Sequence, residues 1–237
     1  MLQQTQVARV VPRYEAWMAR WPTVEALAAA PLSEALAEWI GLGYNRRARA
    51  LWEAARVVAE RGWPEDLREL PGVGPYTAAA VGSFAFGRRE LAIDTNARRV
   101  YARWGTTPDP SRATPELNQA AMELGATICR ARSADCDRCP ISACASRGRP
   151  VTAPGRSRGG GDDGGGRGRR RERFEDTDRY ARGRVLAALA GREPWPQALG
   201  PERIERAIDG LVRDGLAVRE MGHVRLAEGP AAAPRLC

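Results

Sequence analysis

Four cysteines, Cys129, Cys136, Cys139 and Cys144, form the run C-x6-C-x2-C-x4-C. Thiolates held this close together can encircle an iron–sulfur cluster such as [4Fe-4S]. The same four groups could hold a zinc ion or close two disulfides. Zinc sites usually pair two C-x2-C knuckles across a longer loop, and only one such knuckle is present. Spacing therefore favours a cluster, with zinc and disulfides as the competing readings.

A second group lies upstream. Leu70-Pro71-Gly72-Val73-Gly74-Pro75-Tyr76-Thr77 places Gly72 and Gly74 two apart, ahead of an Ala-rich helical run. Glycines at this spacing permit a tight turn and the close approach of another backbone. The helix that follows offers its free N–H groups to a phosphate. Further on, the triplet Leu91-Ala92-Ile93 leads into Asp94 and then Thr95-Asn96-Ala97-Arg98-Arg99. Asp94 reads as an N-cap, a role that contributes about 1 kcal/mol. A carboxylate at a helix N-terminus also stays ionised, which is the state needed to stabilise a cation forming beside it.

The elements that must position these groups are helical up to about Arg149. Val7, Val10, Val11, Tyr14 and Met18 make one apolar stripe at helical spacing, and Leu32, Leu36, Trp39 and Ile40 make another behind Ser33 as N-cap. Helices are expected over 46–60, 76–86, 97–104 and 115–128, the last with Thr114 as cap and Pro115 at its first position. Gly155–Arg173 carries eight glycines, seven arginines and three acids, with no apolar residue, and reads as a flexible basic linker. Beyond it, 180–189 and 201–214 suggest two helices, and 216–220 and 223–226 two short strands around Met221-Gly222, in the manner of a winged helix. The expected organisation is an all-α domain over 1–128, a cysteine loop over 129–150, a linker over 151–175, a winged-helix-like module over 176–228 and a tail over 229–237.

Composition narrows the partner. The formal charge is +8, the pI is near 9.9, and all 37 cations are arginine. An acidic polymer is the natural partner of such a chain. No apolar run is long enough to span a bilayer, and no signal-peptide pattern opens the sequence. Five cysteines, four of them clustered, suit the cytosol.

Taken together, these segments resemble the helix-hairpin-helix superfamily of DNA glycosylases, and within it the adenine-specific mismatch (MutY-type) branch. Met1-Leu2-Gln3-Gln4-Thr5-Gln6-Val7 is similar to that branch's opening signature, and Gly41-Leu42-Gly43-Tyr44 to a second block. The Gly72/Gly74 hairpin, the Asp94 segment and the cysteine loop follow in order. The resemblance implies a helix-hairpin-helix glycosylase fold with a [4Fe-4S] cluster on the four cysteines, acting as a monomer on mismatched double-stranded DNA in the cytoplasm or nucleoid. It implies that Asp94 stabilises an oxocarbenium-like sugar, that Asn96 positions groups beside it, and that Tyr76 supports the carboxylates. Gln4 and Tyr44 would enter the base stack, with Leu2 and Thr5 near the opposite base. The implied reaction is removal of adenine opposite 8-oxoguanine or guanine. Endonuclease III-type relatives use a lysine at the position of Tyr76 for strand cleavage, and this chain has no lysine, so a monofunctional glycosylase is expected.

Three departures from the family pattern shape the expectations. The family's general-acid glutamate stands two residues before the methionine that is Met1 here, so the fold is expected to be incomplete at its N-terminus and the start misassigned. The last cysteine spacing is x4, where the family usually has x5. A winged-helix-like segment replaces the usual pyrophosphohydrolase-like C-terminal module. Two further readings stay in view: a T:G mismatch glycosylase of the same superfamily, and a fragment that binds damaged DNA without cleaving it.

Overall fold

The computed structural model describes residues 1–2, 5–149 and 173–230. Gln4, all but the last residue of the Gly/Arg-rich stretch, and the end of the tail lie outside them. The described residues form two compact units. The first takes Met1–Pro64, Leu70–Gly72 and the described part of Gly166–Cys237; the second takes Glu65–Glu69 and the described part of Val73–Gly165.

The first unit holds α1 (Val7–Arg20), α2 (Val24–Ala29), α3 (Leu32–Trp39) and α4 (Arg46–Arg61), with α8 (Asp178–Leu189), α9 (Pro201–Arg213), β1 (Ala217–Glu220) and β2 (His223–Leu226) from the far end of the chain. The second holds α5 (Pro75–Phe86), α6 (Thr95–Trp104), α7 (Pro115–Thr127) and the cysteine loop. Among the described residues the two strands are the only sheet, an antiparallel pair running from Ala217↔Leu226 to Glu220↔His223. The helices expected from 46 onward stand within two residues of their predicted bounds.

The segment expected as a separate module, 176–228, shares one core with the N-terminal helices. Trp17, Leu32, Leu36, Trp39 and Trp52 pack in the same cluster as Val185, Leu186, Ile208, Leu211 and Leu216. Trp17 meets Trp21 and Trp39 edge-on at 4.6 and 5.7 Å, a favoured aromatic geometry. Buried indole N–H groups need acceptors, and Trp39 and Trp52 find them in the carbonyls of Gly43 and Ala30 at 3.0 and 2.8 Å.

Several local expectations are corrected. Of the apolar stripe on α1, only Val10 is buried; Trp17 supplies the other inward contact, and Val7, Val11, Tyr14 and Met18 stay exposed. Ser33 is not the cap of α3. The helix starts at Leu32 behind Pro31, and the Ser33 hydroxyl donates instead to the Glu228 carboxylate at 2.8 Å. Helix α2, six residues capped by the Thr23 hydroxyl accepting from Ala26 N–H, was not expected.

Candidate active site

Asp94 caps α6. Its Oδ1 accepts from the Ala97 N–H at 2.6 Å, and its Oδ2 accepts from the Asn96 amide at 3.1 Å. Both carboxylate oxygens are thus held, and the side chain is fixed in orientation while half-exposed. Asn96 is itself oriented, since its Oδ1 accepts from Arg99 at 2.8 Å. Arg99 also donates to the carbonyls of Gly125 at 2.6 Å and Cys129 at 2.9 Å. Arg103, one turn further along α6, donates to the carbonyls of Arg130 and Ala131 and to the Cys129 sulfur at 3.5 Å. One face of α6 therefore runs from the capping carboxylate to the cysteine loop.

Two contacts hold the chain around Asp94. Asn118, 2% exposed on α7, accepts from the Ala92 N–H at 3.0 Å through its side-chain oxygen. Its amide donates to the Glu90 carbonyl at 2.7 Å and to the Ser83 hydroxyl at 2.9 Å. These bonds satisfy the buried amide, as burial requires, and pin the strand-like lead-in to Asp94. Gly125 lies against Asn96: a Cβ there would sit 2.7 Å from the Asn96 Cβ and 2.9 Å from its carbonyl oxygen. Only glycine allows α6 and α7 this approach.

Tyr76, at the start of α5, is 39% exposed, and its hydroxyl lies 4.0 Å from the Met122 sulfur. Burial raises its pKa first, and the charge of Asp94 raises it further. The phenol and the carboxylate thus feel each other, and Tyr76 stays protonated at neutral pH. Asp94, Asn96 and Tyr76 are brought together within the second unit.

Gly72 and Gly74 play different parts. Gly72 has φ +74°, and a Cβ on it would approach the Ala50 Cβ on α4 to 2.6 Å. Gly74 has an ordinary extended conformation, caps α5 without a side chain, and faces open space. The element before this turn is a single 3-10 turn, Leu67–Glu69.

In the first unit the opening residues meet the Gly41–Tyr44 turn. The Thr5 hydroxyl donates to the Leu42 carbonyl at 3.3 Å, and Arg9 donates to the Gly41 carbonyl at 3.1 Å. Leu2 and Tyr44 are both exposed.

Cys129, Cys136, Cys139 and Cys144 are free thiols lining one cavity of about 790 Å³, walled by Arg98, Arg99, Arg103, Arg147 and Arg149. No disulfide joins them. Among the described residues no three histidine, cysteine or acidic side chains converge closely enough for a single-ion site. Four thiols in one cavity, with guanidiniums around them, fit an anionic tetrathiolate group.

Arg99, Arg103, Asn118 and Gly125 were not singled out from the sequence, although periodicity carries a signal for them. Asn96, Arg99 and Arg103 recur at helical spacing on α6, and Asn118 interrupts the buried face of α7 that continues with Ala121 and Gly125.

Comparison with known proteins gives a consistent picture. Residues 1–125 match the family described as HhH-GPD superfamily base excision DNA repair protein. The adenine DNA glycosylase of Mycolicibacterium smegmatis is 40% identical over 247 residues, which span 91% of this chain and 80% of that protein. The adenine DNA glycosylase of Homo sapiens is 40% identical over 232 residues, 84% of this chain and 40% of the human protein. Among solved structures, a thermostable thymine-DNA glycosylase superposes with TM-score 0.50 at 28% identity, covering 60% of this chain and 78% of that one. A trapped endonuclease III–DNA covalent intermediate superposes with TM-score 0.51 at 25% identity and the same coverage.

Proposed function

We propose that this chain, which belongs to the HhH-GPD superfamily of base excision DNA repair proteins, hydrolyses the N-glycosidic bond of adenine mispaired with 8-oxoguanine or guanine. The observation that carries the reading is Asp94, a carboxylate locked at the tip of α6 by Ala97 N–H and Asn96 and electrostatically coupled to Tyr76.

As adenine leaves, the sugar acquires positive charge. Asp94 stabilises that charge because its carboxylate is already oriented by two hydrogen bonds, so little reorganisation is needed when the charge appears. Asn96 holds the carboxylate against rotation, and Tyr76 keeps a neutral hydroxyl near it. Water then adds to the sugar and an abasic site remains. No lysine amine exists in the chain to form a Schiff base, which supports a monofunctional enzyme.

The target base must leave the helix for this chemistry, at a cost of a few kcal/mol in unstacking. By resemblance, Leu2, Gln4, Thr5 and Tyr44 are the residues assigned to filling the duplex and meeting the opposite base. The open, uncapped start of α5 at Gly74 suits a backbone phosphate, and the net charge suits double-stranded DNA as partner. The four cysteines would hold a [4Fe-4S] cluster, which when bound would cross-link their loop through iron–sulfur bonds.

The test is excision from duplexes carrying A opposite 8-oxoguanine, A opposite G and T opposite G. It is run on the purified chain. Adenine should be released and thymine should not. Asp94→Asn should abolish turnover while keeping DNA binding; unchanged turnover removes Asp94 from the mechanism. Anaerobic purification should give a brown protein, and a colourless one with stoichiometric zinc overturns the cluster.

A further inference from the structure

We propose that α8, in the C-terminal third of the chain, is part of the DNA surface, with Arg179 stacked on Tyr44 and gripping a phosphate of the strand beside it. The inference rests on the reading of DNA as substrate and extends it to the segment beyond the Gly/Arg-rich stretch.

The geometry begins at the Gly41–Tyr44 turn. Gly41 and Gly43 have φ of +92° and +71°, and Tyr44 itself has φ +50°. A bulky residue in the left-handed region is strained, and such strain persists only where the surroundings over-determine it. Here Trp39 and Arg47 both donate to the Gly43 carbonyl, and Arg9 donates to that of Gly41. The result is a tyrosine ring held 43% exposed on a rigid turn.

Helix α8 is fitted to that ring. The Arg179 guanidinium lies 4.0 Å from the Tyr44 centroid, and Arg47 lies 5.2 Å from it. A Cβ on Gly43 would come within 2.9 Å of the Arg179 Nη2, so the glycine that forms the turn also makes room for the arginine. Tyr44, Arg46, Arg47, Arg179 and Arg182 line one cavity of about 580 Å³, together with Asn45, Asp178 and Asp214. Four arginines against two acids leave it net positive. Asp214 is engaged by Arg182 and receives Arg46 at 3.9 Å, while Arg179 is exposed and forms no ion pair among the described residues.

An arginine stacked on an aromatic face keeps its N–H edges available, and a planar guanidinium matches a phosphate in geometry and charge. Aromatic rings beside cationic grooves are the usual construction for tracking a nucleic-acid strand. With the Tyr44 ring assigned to the base stack, the guanidinium 4.0 Å from it is the cation beside the strand that a neighbouring phosphate would meet.

The competing explanation is that Arg179 merely docks α8 onto the turn. Two variants separate the two. Arg179→Gln keeps a planar polar group over the ring and loses the charge; Arg179→Ala removes both. Equilibrium binding to an undamaged duplex is measured over a salt series, with thermal melting alongside. Removing one cation that neutralises a phosphate should lower the slope of log K against log salt by about 0.9. Arg179→Gln should show that decrease with parental melting and weaken binding severalfold at low salt. A parental slope in Arg179→Gln overturns the proposal, whatever Arg179→Ala does to stability. Adenine release by the parent protein tests the activity separately, so failure of the one is distinguishable from failure of the other.

Discussion

Replacing Asn118 with alanine removes three hydrogen bonds at once, two of them to the backbone that leads into Asp94. The bond from the Ala92 N–H is buried, while the bond to the Glu90 carbonyl is only partly buried. Leaving a buried backbone group unpaired costs about 1–3 kcal/mol. Counting the Ala92 N–H at the middle of that range and the Glu90 carbonyl at its low end, the loss should be about 3 kcal/mol. For a protein of this size, each kcal/mol corresponds to about 2–4 °C in melting temperature, so Asn118→Ala should lower the melting transition by about 6–12 °C. The control is Gln119→Ala, one residue along on the exposed face of α7, whose only side-chain hydrogen bond among the described residues is to Glu123; surface changes of this kind fall within about 0.5 kcal/mol. Below its melting range, Asn118→Ala should also excise more slowly at unchanged DNA affinity, because the carboxylate is less firmly held. If Asn118→Ala melts no lower than Gln119→Ala, the pinning of the Asp94 segment is wrong.

Two further outcomes are expected. The Tyr76 phenol should titrate above the ordinary value near 10, and Asp94→Asn should bring it part of the way back, since burial is the larger cause and remains; NMR titration of the tyrosine ring carbons reads this without any activity. Because the folded state holds those phenolic protons more tightly, stability should fall as pH rises past the unfolded value, with Tyr101 contributing in the same sense through burial; Tyr76→Phe should flatten that alkaline loss, and an unaltered profile refutes the coupling. At the hairpin tip, Met221 is fully exposed with φ +49° next to Gly222 at φ +79°, a type I′ turn that favours Asn-Gly. Met221→Asn should therefore raise stability by about 1 kcal/mol, read as a higher denaturant midpoint at constant slope.

Much of this architecture was legible from residue pattern. The caps at Asp94 and Thr114 and the helices from Arg46 onward follow from local chemistry, because an N-cap and an apolar period are properties of a few neighbouring residues. What pattern could not supply was the partner of each face. The stripe Val7, Val11, Tyr14 and Met18 has a core-like period, yet Trp17 on another face of α1 takes the buried position beside Trp39. Ser33 has the chemistry of a cap, but a carboxylate almost two hundred residues away claims its hydroxyl. The cysteine spacing and the Asp94 segment could be read separately. The arginines of α6 that join them show only as a helical repeat, since most of their acceptors are backbone carbonyls with no signature in sequence.

The shared core of the first unit sets an order of events during synthesis. Helices α1–α4 leave the ribosome first but lack Val185, Ile208 and Leu216, and Leu32 N–H waits for the Glu228 carbonyl at 3.0 Å. At roughly 5–20 residues per second, the early helices must remain uncommitted for many seconds while the intervening segment emerges. A nascent chain halted just short of α8 should then expose the tryptophans of the early helices to quenchers and proteases.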